Sequence, residues 1–333
     1  MGEAVVEVVR GTVVESLHRV HVAVVDAAGT MRASAGEPER VTFIRSAAKP
    51  FQALPIVSEG VLDRFGVTLE ELAVACGSHS GEPRHVEAVT SLLRRIGLDG
   101  EALACGPQPP FDAAARRELA EAGLEPGRLH NNCSGKHAGM LAVARVHGWD
   151  PSGYHLPEHP VQLRMLAELE RWLELPPEAM AMGTDGCAAV TFGVPLRSMA
   201  LGYARLAQAA RVGEREATYV VGSMTSYPEM VGGEGRLCTD LMTCAAGRLF
   251  AKVGAEGGYG VGVPGAELGI AMKVEDGSQR AIGPAILAVL RELDLISEDD
   301  LGRLLRHAYP EVLNTRGDVV GQVRARVRLT CGT

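Results

Sequence analysis

Strand-forming sequence lies at both ends of this 333-residue chain and helix-forming sequence fills the middle, so the two ends either build separate sheets or share one. Near the start, VVESLHRVHVAVVD is dense in β-branched residues, Ala27-Ala28-Gly29-Thr30 reads as a turn, and VTFIR as a further short strand. From Ser46 to about Ala210 the apolar spacing becomes helical, over Pro83 to Ile96, Asp112 to Ala122, Lys136 to His147 and Glu158 to Leu173, punctuated by Gly and Pro clusters. Strands return between Phe250 and Val274 around the turn Pro264-Gly265-Ala266, before a helix from about Ile282 to Leu295. No flexible linker, internal repeat or low-complexity tract divides the chain. The pattern predicts one α/β domain over residues 1–333, with an antiparallel sheet built from about 1–45 and 250–333 and a helical subdomain over about 46–249.

A hydrophobic content of 46% supplies a substantial core, while a net charge of −8 and a pI near 5.7 provide no basic face for nucleic acid or anionic lipid. A small-molecule substrate is the expected partner. The opening MGEAVVEVVR has no basic-then-apolar leader, Val6 breaks the myristoylation pattern, and no apolar run reaches membrane-spanning length. Seven scattered cysteines fit reduced thiols in the cytoplasm, some of them candidates for metal binding.

Lysine is scarce: of 33 basic residues only Lys49, Lys136, Lys252 and Lys273 are lysine. Guanidinium does not lose its proton in proteins, so a lysine retained against this background suggests a place needing an amine that can, or a compact cation. Three of the four fall in segments with chemical meaning.

In Arg45-Ser46-Ala47-Ala48-Lys49-Pro50 a strand runs into a helix with serine and lysine three residues apart, hence on one face. A serine hydroxyl becomes nucleophilic when a neighbouring base takes its proton, and a lysine serves when burial or a nearby cation favours its neutral amine. The same spacing also describes an ordinary helix cap beside a solvated lysine. Cys76-Gly77-Ser78-His79-Ser80-Gly81-Glu82 suits a tight loop in which Ser78 relays a proton or binds substrate, or simply caps the helix beginning near Pro83. Asn131 to Met140 places polar residues before an apolar helix. His137 stands where a phosphate-binding loop needs Ser or Thr, which rules that motif out. Cys133 and Lys136, with Cys187 in Asp185-Gly186-Cys187, offer soft donors for a metal, although buried free cysteines are common. Lys252-Val253-Gly254 is a strand lysine beside a glycine that admits another backbone or a ligand, or else a solvated one.

Ser-x-x-Lys at a strand-to-helix junction with a later strand lysine resembles the serine β-lactamase and glutaminase superfamily. The ordered strings HRVHVAVVD, RSAAKP, CGSHSGE, NNCSGKHAGM, GYHLPEHPVQ, GTDGC, YPEMVGGEGR and KVEDG, spread over nearly the whole chain, narrow the resemblance to the bacterial L-asparaginase II family of the Rhizobium type. The resemblance implies a penicillin-binding-protein-like fold, a homodimer and hydrolysis of L-asparagine to L-aspartate and ammonia. It also assigns roles: Ser46 as nucleophile, Lys49 as its base, Ser78 and Lys252 as a second serine–lysine pair, and Arg45, His137 and Asp185 around the substrate. Cys133, Lys136 and Cys187 match the family's zinc positions, and the lysine has to be neutral to donate to a metal. The proposed serine chemistry does not require that zinc. Rival readings are a glutaminase or β-lactam hydrolase with the same machinery, a zinc-dependent amidohydrolase in which metal-bound water attacks, and an amino-acid binder without turnover.

Overall fold

The computed structural model describes residues 2–332, which form two compact units. One comprises Met1–Ala47, Val194–Gln208 and Cys244–Thr333; the other comprises Ala48–Gly193 and Ala209–Thr243.

The first unit is built on a nine-stranded sheet. Its strands are β1 (Glu3–Arg10), β2 (Val13–Asp26), β3 (Met31–Ala35), then β7 (Phe250–Val253), β8 (Gly258–Val263), β9 (Leu268–Val274), β10 (Glu311–Leu313), β11 (Val319–Arg328) and β12 (Thr330–Cys331). Between β3 and β7 the chain also forms β4 (Val41–Phe43), β5 (Ala181–Thr184) and β6 (Val190–Pro195). The main order is β10-β11-β1-β2-β9-β8-β7, and β3 pairs with β2 and β12. Both chain ends therefore share one antiparallel sheet, as the sequence predicts: Glu3 of β1 stands opposite Arg328 of β11, and Val22 of β2 opposite Met272 of β9. β2 explains how. Its first half is mostly exposed, whereas Val20 to Val25 are all buried, a run that is apolar but for His21, as in a strand covered on both faces. Residues 194–208, predicted as part of the helical subdomain, group instead with the sheet, where Tyr203 stacks on Phe250 at 5.6 Å.

The second unit is helical. Its centre is Lys49–Ser58, in which every residue from Lys49 to Val57 is buried, against the helices Ser134–His147, Pro160–Leu173 and Arg215–Ser226. Burying Phe51, Leu54, Ile56 and Val57 contributes about 1.5–3 kcal/mol each. The predicted helices appear at Pro83–Arg95, Ala113–Glu121, Ser134–His147 and Pro160–Leu173. Small residues decide how closely they approach. A Cβ on Gly135 would overlap the Val74 carbonyl, so only glycine lets the first turn of Ser134–His147 rest on the end of the helix Leu69–Ala75. Among the described residues no helix is long and apolar enough to cross a membrane.

Candidate active site

The sheet unit holds Arg45, Ser46 and Lys252. β4 ends just before Arg45, whose φ of +50° lies in the left-handed region, costing about 1–3 kcal/mol for a residue with a side chain. The turn Arg45–Ala48 is held by Ala47 N–H donating to Ile44 O at 3.1 Å and by the Tyr203 hydroxyl donating to Ala47 O at 2.8 Å. Tyr203 reaches that carbonyl because Gly260 has no side chain where the phenol ring passes. β7 backs onto the same turn: a Cβ on Gly254 would stand 3.1 Å from Ile44 O, the close backbone approach expected of that glycine. On β7, Lys252 is fully buried and donates to Val253 O at 2.8 Å.

The helical unit holds Lys49, Ser78, Cys133, Lys136, His137, Asp185 and Cys187. Lys49, buried at the first position of its helix, lies 2.5 Å from Gly77 O, 3.0 Å from Ser78 Oγ and 3.3 Å from Asn132 O. An ammonium there donates to all three. A neutral amine donates twice to the carbonyls and accepts the Ser78 proton, so one arrangement of heavy atoms serves both protonation states. The Ser78 loop is pinned by Ser78 N–H on Val231 O at 2.8 Å and by its neighbour His79. Ser134 donates to Leu129 O, so His79 Nε2–H donates to Ser134 Oγ at 2.9 Å while its Nδ1 accepts from Gly81 N–H at 3.2 Å. Burial, then the nearby His85 and Lys49, hold His79 far below the usual imidazole range, consistent with that neutral ring.

Cys187 arrives on the turn between β5 and β6, closed by Ala188 N–H on Asp185 O at 2.9 Å and Asp185 N–H on Ala189 O at 2.8 Å. Lys136 Nζ lies 2.9 Å from Cys187 Sγ. The hydrogen bond from the Cys133 thiol, then the charge on Lys136, hold Cys187 at about 5 despite its burial, and the same hydrogen bond with burial pushes Cys133 up to about 12. Burial opposes the charge on Lys136, but the Cys187 thiolate outweighs it and raises the amine above its ordinary value. Two sulfurs joined by a hydrogen bond, with an amine against one of them, are a donor set that suits zinc once Cys133 and Lys136 give up their protons. Among the described residues no cluster of three or more His, Cys, Asp or Glu could hold a metal, so Lys136 is indispensable to such a site.

Sequence reasoning gave no role to Tyr154, whose hydroxyl lies 2.5 Å from His137 Nδ1, or to Ser134. Neither sits in a spacing that marks chemistry; their partners are distant in sequence and meet only after folding.

The family model described as L-asparaginase II matches residues 6–325. No curated protein matches the chain. Among solved structures the chain is similar to a β-lactamase from Mycobacterium bovis at 17% identity, covering 82% of this chain and 94% of that one with a TM-score of 0.44. It is similar to an octameric penicillin-binding protein homologue from Pyrococcus abyssi at 14% identity, 90% and 79% coverage and a TM-score of 0.43. A third likeness, to Mglu in its native form, has 18% identity and a TM-score of 0.37; it covers 85% of this chain, which spans only 63% of Mglu. TM-scores this low leave the resemblance of backbones too loose to support an inference about chemistry.

Proposed function

The chain belongs to the L-asparaginase II family of amidohydrolases, and on that premise we propose that it hydrolyses L-asparagine to L-aspartate and ammonia through a serine activated by lysine. The observation that carries this reading is the buried contact of Lys49 Nζ with Ser78 Oγ at 3.0 Å, in a helix that begins three residues after Ser46.

In the proposed cycle Ser46 Oγ attacks the side-chain amide carbon as Lys49 takes its proton. The tetrahedral oxyanion collapses, the C–N bond breaks, and the nitrogen leaves as ammonia after receiving a proton by way of Ser78, the hydroxyl hydrogen-bonded to Lys49. Water then attacks the acyl ester on Ser46, its proton passing to the neutral amine of Lys49; the ester C–O bond breaks, Lys49 returns that proton to the Ser46 oxygen, and aspartate departs. Lys252 is assigned to the second serine–lysine pair by family resemblance. Arg45 suits the substrate α-carboxylate and Asp185 its ammonium, with His137 beside the substrate.

Cys133, Lys136 and Cys187 would hold a zinc ion, which when bound supplies a cross-link between the helix Ser134–His147 and the turn between β5 and β6. The serine chemistry proceeds without it. A homodimer belongs to the same reading and is checked by light scattering.

Ammonia release across asparagine, glutamine and a chromogenic β-lactam, with wild type and Ser46→Ala, tests the proposal. Asparagine should be turned over fastest, and Ser46→Ala should lose at least about a thousandfold in kcat. Wild-type activity without Ser46 removes the nucleophile; no ammonia from asparagine removes the substrate.

A further inference from the structure

His137 is fully buried in the first turn of the helix Ser134–His147, yet its Nε2 has no hydrogen-bond partner among the described residues. Burying an imidazole N–H without an acceptor is costly, and native proteins rarely leave one. What lies on the other side of the ring decides which kind of atom that nitrogen is.

Tyr154 supplies the answer. Its hydroxyl oxygen accepts Ala104 N–H at 2.9 Å and lies 2.5 Å from His137 Nδ1, with the phenol edge-on to the imidazole. The phenol has a single proton to give, and His137 Nδ1 is the acceptor within reach, so Nδ1 carries the lone pair and Nε2 the hydrogen. The opposite tautomer would strand a buried phenol proton and leave Nε2 a bare acceptor. Tyr154 is itself held in place: it is 1% exposed, and its backbone carbonyl accepts from Gln162 Nε2 at 2.9 Å.

From this geometry we infer that Tyr154 is a positioning residue that fixes His137 as an Nε2–H donor for an oxygen of the bound substrate. The inference rests on His137 being a substrate contact, as proposed above, and adds what it recognises: an acceptor oxygen, carboxylate or amide carbonyl, bound in the ground state, and not an ammonium.

The test uses the full-length enzyme with 15N-labelled histidine, its His137 resonances assigned by their loss in His137→Gln. Wild type should show a protonated Nε2 and a lone-pair Nδ1. Tyr154→Phe should populate both tautomers and raise the KM for asparagine about tenfold, roughly the worth of one hydrogen bond, with kcat nearly unchanged. His137→Gln, whose amide N–H reaches the ε position, should hold KM nearer to wild type than His137→Asn does, which decides the matter even if Tyr154→Phe fails to fold. A wild-type ring protonated at Nδ1, a Tyr154→Phe ring still fixed as Nε2–H at unchanged KM, or a loss confined to kcat overturns the inference. If wild type releases no ammonia from asparagine, the functional reading fails, while the nitrogen spectrum still decides the tautomer.

Discussion

Lys49 Nζ stands 3.0 Å from Ser78 Oγ and between two backbone carbonyls, so the base proposed for Ser46 is wired to a second hydroxyl. Removing either end has different consequences. Ser78→Ala leaves Lys49 its two carbonyls and should keep the fold while lowering kcat about 10²- to 10⁴-fold, the usual loss of a proton-transfer group. Lys49→Met should abolish activity and also lower the melting temperature, because the carbonyls of Gly77 and Asn132 lose their donor. Lys49→Arg should not restore turnover, since guanidinium stays protonated. Turnover within a few-fold of wild type for Ser78→Ala would remove that hydroxyl from the proton path.

Two glycines should respond oppositely to the same added methyl. At Gly135 a Cβ would overlap the Val74 carbonyl, pushing the turn that carries Cys133 and Lys136 away from the helix that leads into the Ser78 loop. Gly135→Ala should therefore lose both stability and activity. Gly222, inside the helix Arg215–Ser226, has nothing within 4 Å of its missing Cβ. Gly222→Ala should stabilise the protein by about 0.5–1 kcal/mol at unchanged turnover, from helix propensity alone. Thermal melts and ammonia release on the two variants check the pair, and a tolerated Gly135→Ala would mean that the approach of the two helices is not set there.

The sheet was legible because β2 is dense in β-branched residues and β8 and β9 read as short apolar strands around the turn at Pro264-Gly265-Ala266, and the helices because their apolar spacing is regular. Residues 194–208 were misplaced because helical periodicity says nothing of what a helix packs on; the contact depends on the missing side chains of Gly260 and Gly262 meeting Tyr203. Scarcity of lysine pointed to Lys49 and Lys136, but it marks any need for a compact cation. Lys273 serves a structural end, donating to Glu256 O at 2.5 Å and Val274 O at 2.6 Å. His137 was legible from its string, whereas Tyr154 was not, because a tautomer is fixed by a three-dimensional contact between residues 17 apart in sequence.

Thiol ionisation gives a pH dependence of known sign. In the chelated, metal-free protein Cys187 is held at about 5, below the 9.0 of an ordinary thiol, so its contribution is fully present above that ordinary value and disappears as pH falls through about 5. Cys133, pushed up to about 12, acts in reverse: its contribution is present below 9.0 and is lost as pH rises toward about 12. Stability from this pair should therefore climb between about pH 5 and 9 and decline above. Urea midpoints across that window should lose the climbing limb in Cys187→Ser. An identical profile in wild type and variant would show that Cys187 is an ordinary thiol.

Zinc binding separates Lys136 as a ligand from Lys136 as a counter-ion. As a counter-ion it pairs with the Cys187 thiolate at 2.9 Å, a task that arginine can share. As a ligand it must surrender its proton and give the metal a lone pair, which guanidinium cannot do. Wild type should bind zinc in competition with a chromophoric chelator, releasing protons as it does so, and at about a hundredfold excess over Kd the metal should stabilise the fold by about 2.7 kcal/mol. Lys136→Arg should bind at least about tenfold more weakly, having two sulfur donors and no nitrogen. Chelation of wild type should leave ammonia release within about twofold, because serine and lysine carry the chemistry. Equal zinc affinity in Lys136→Arg would exclude the amine from coordination. Loss of turnover on chelation, restored by zinc, would instead transfer the chemistry from Ser46 to metal-bound water.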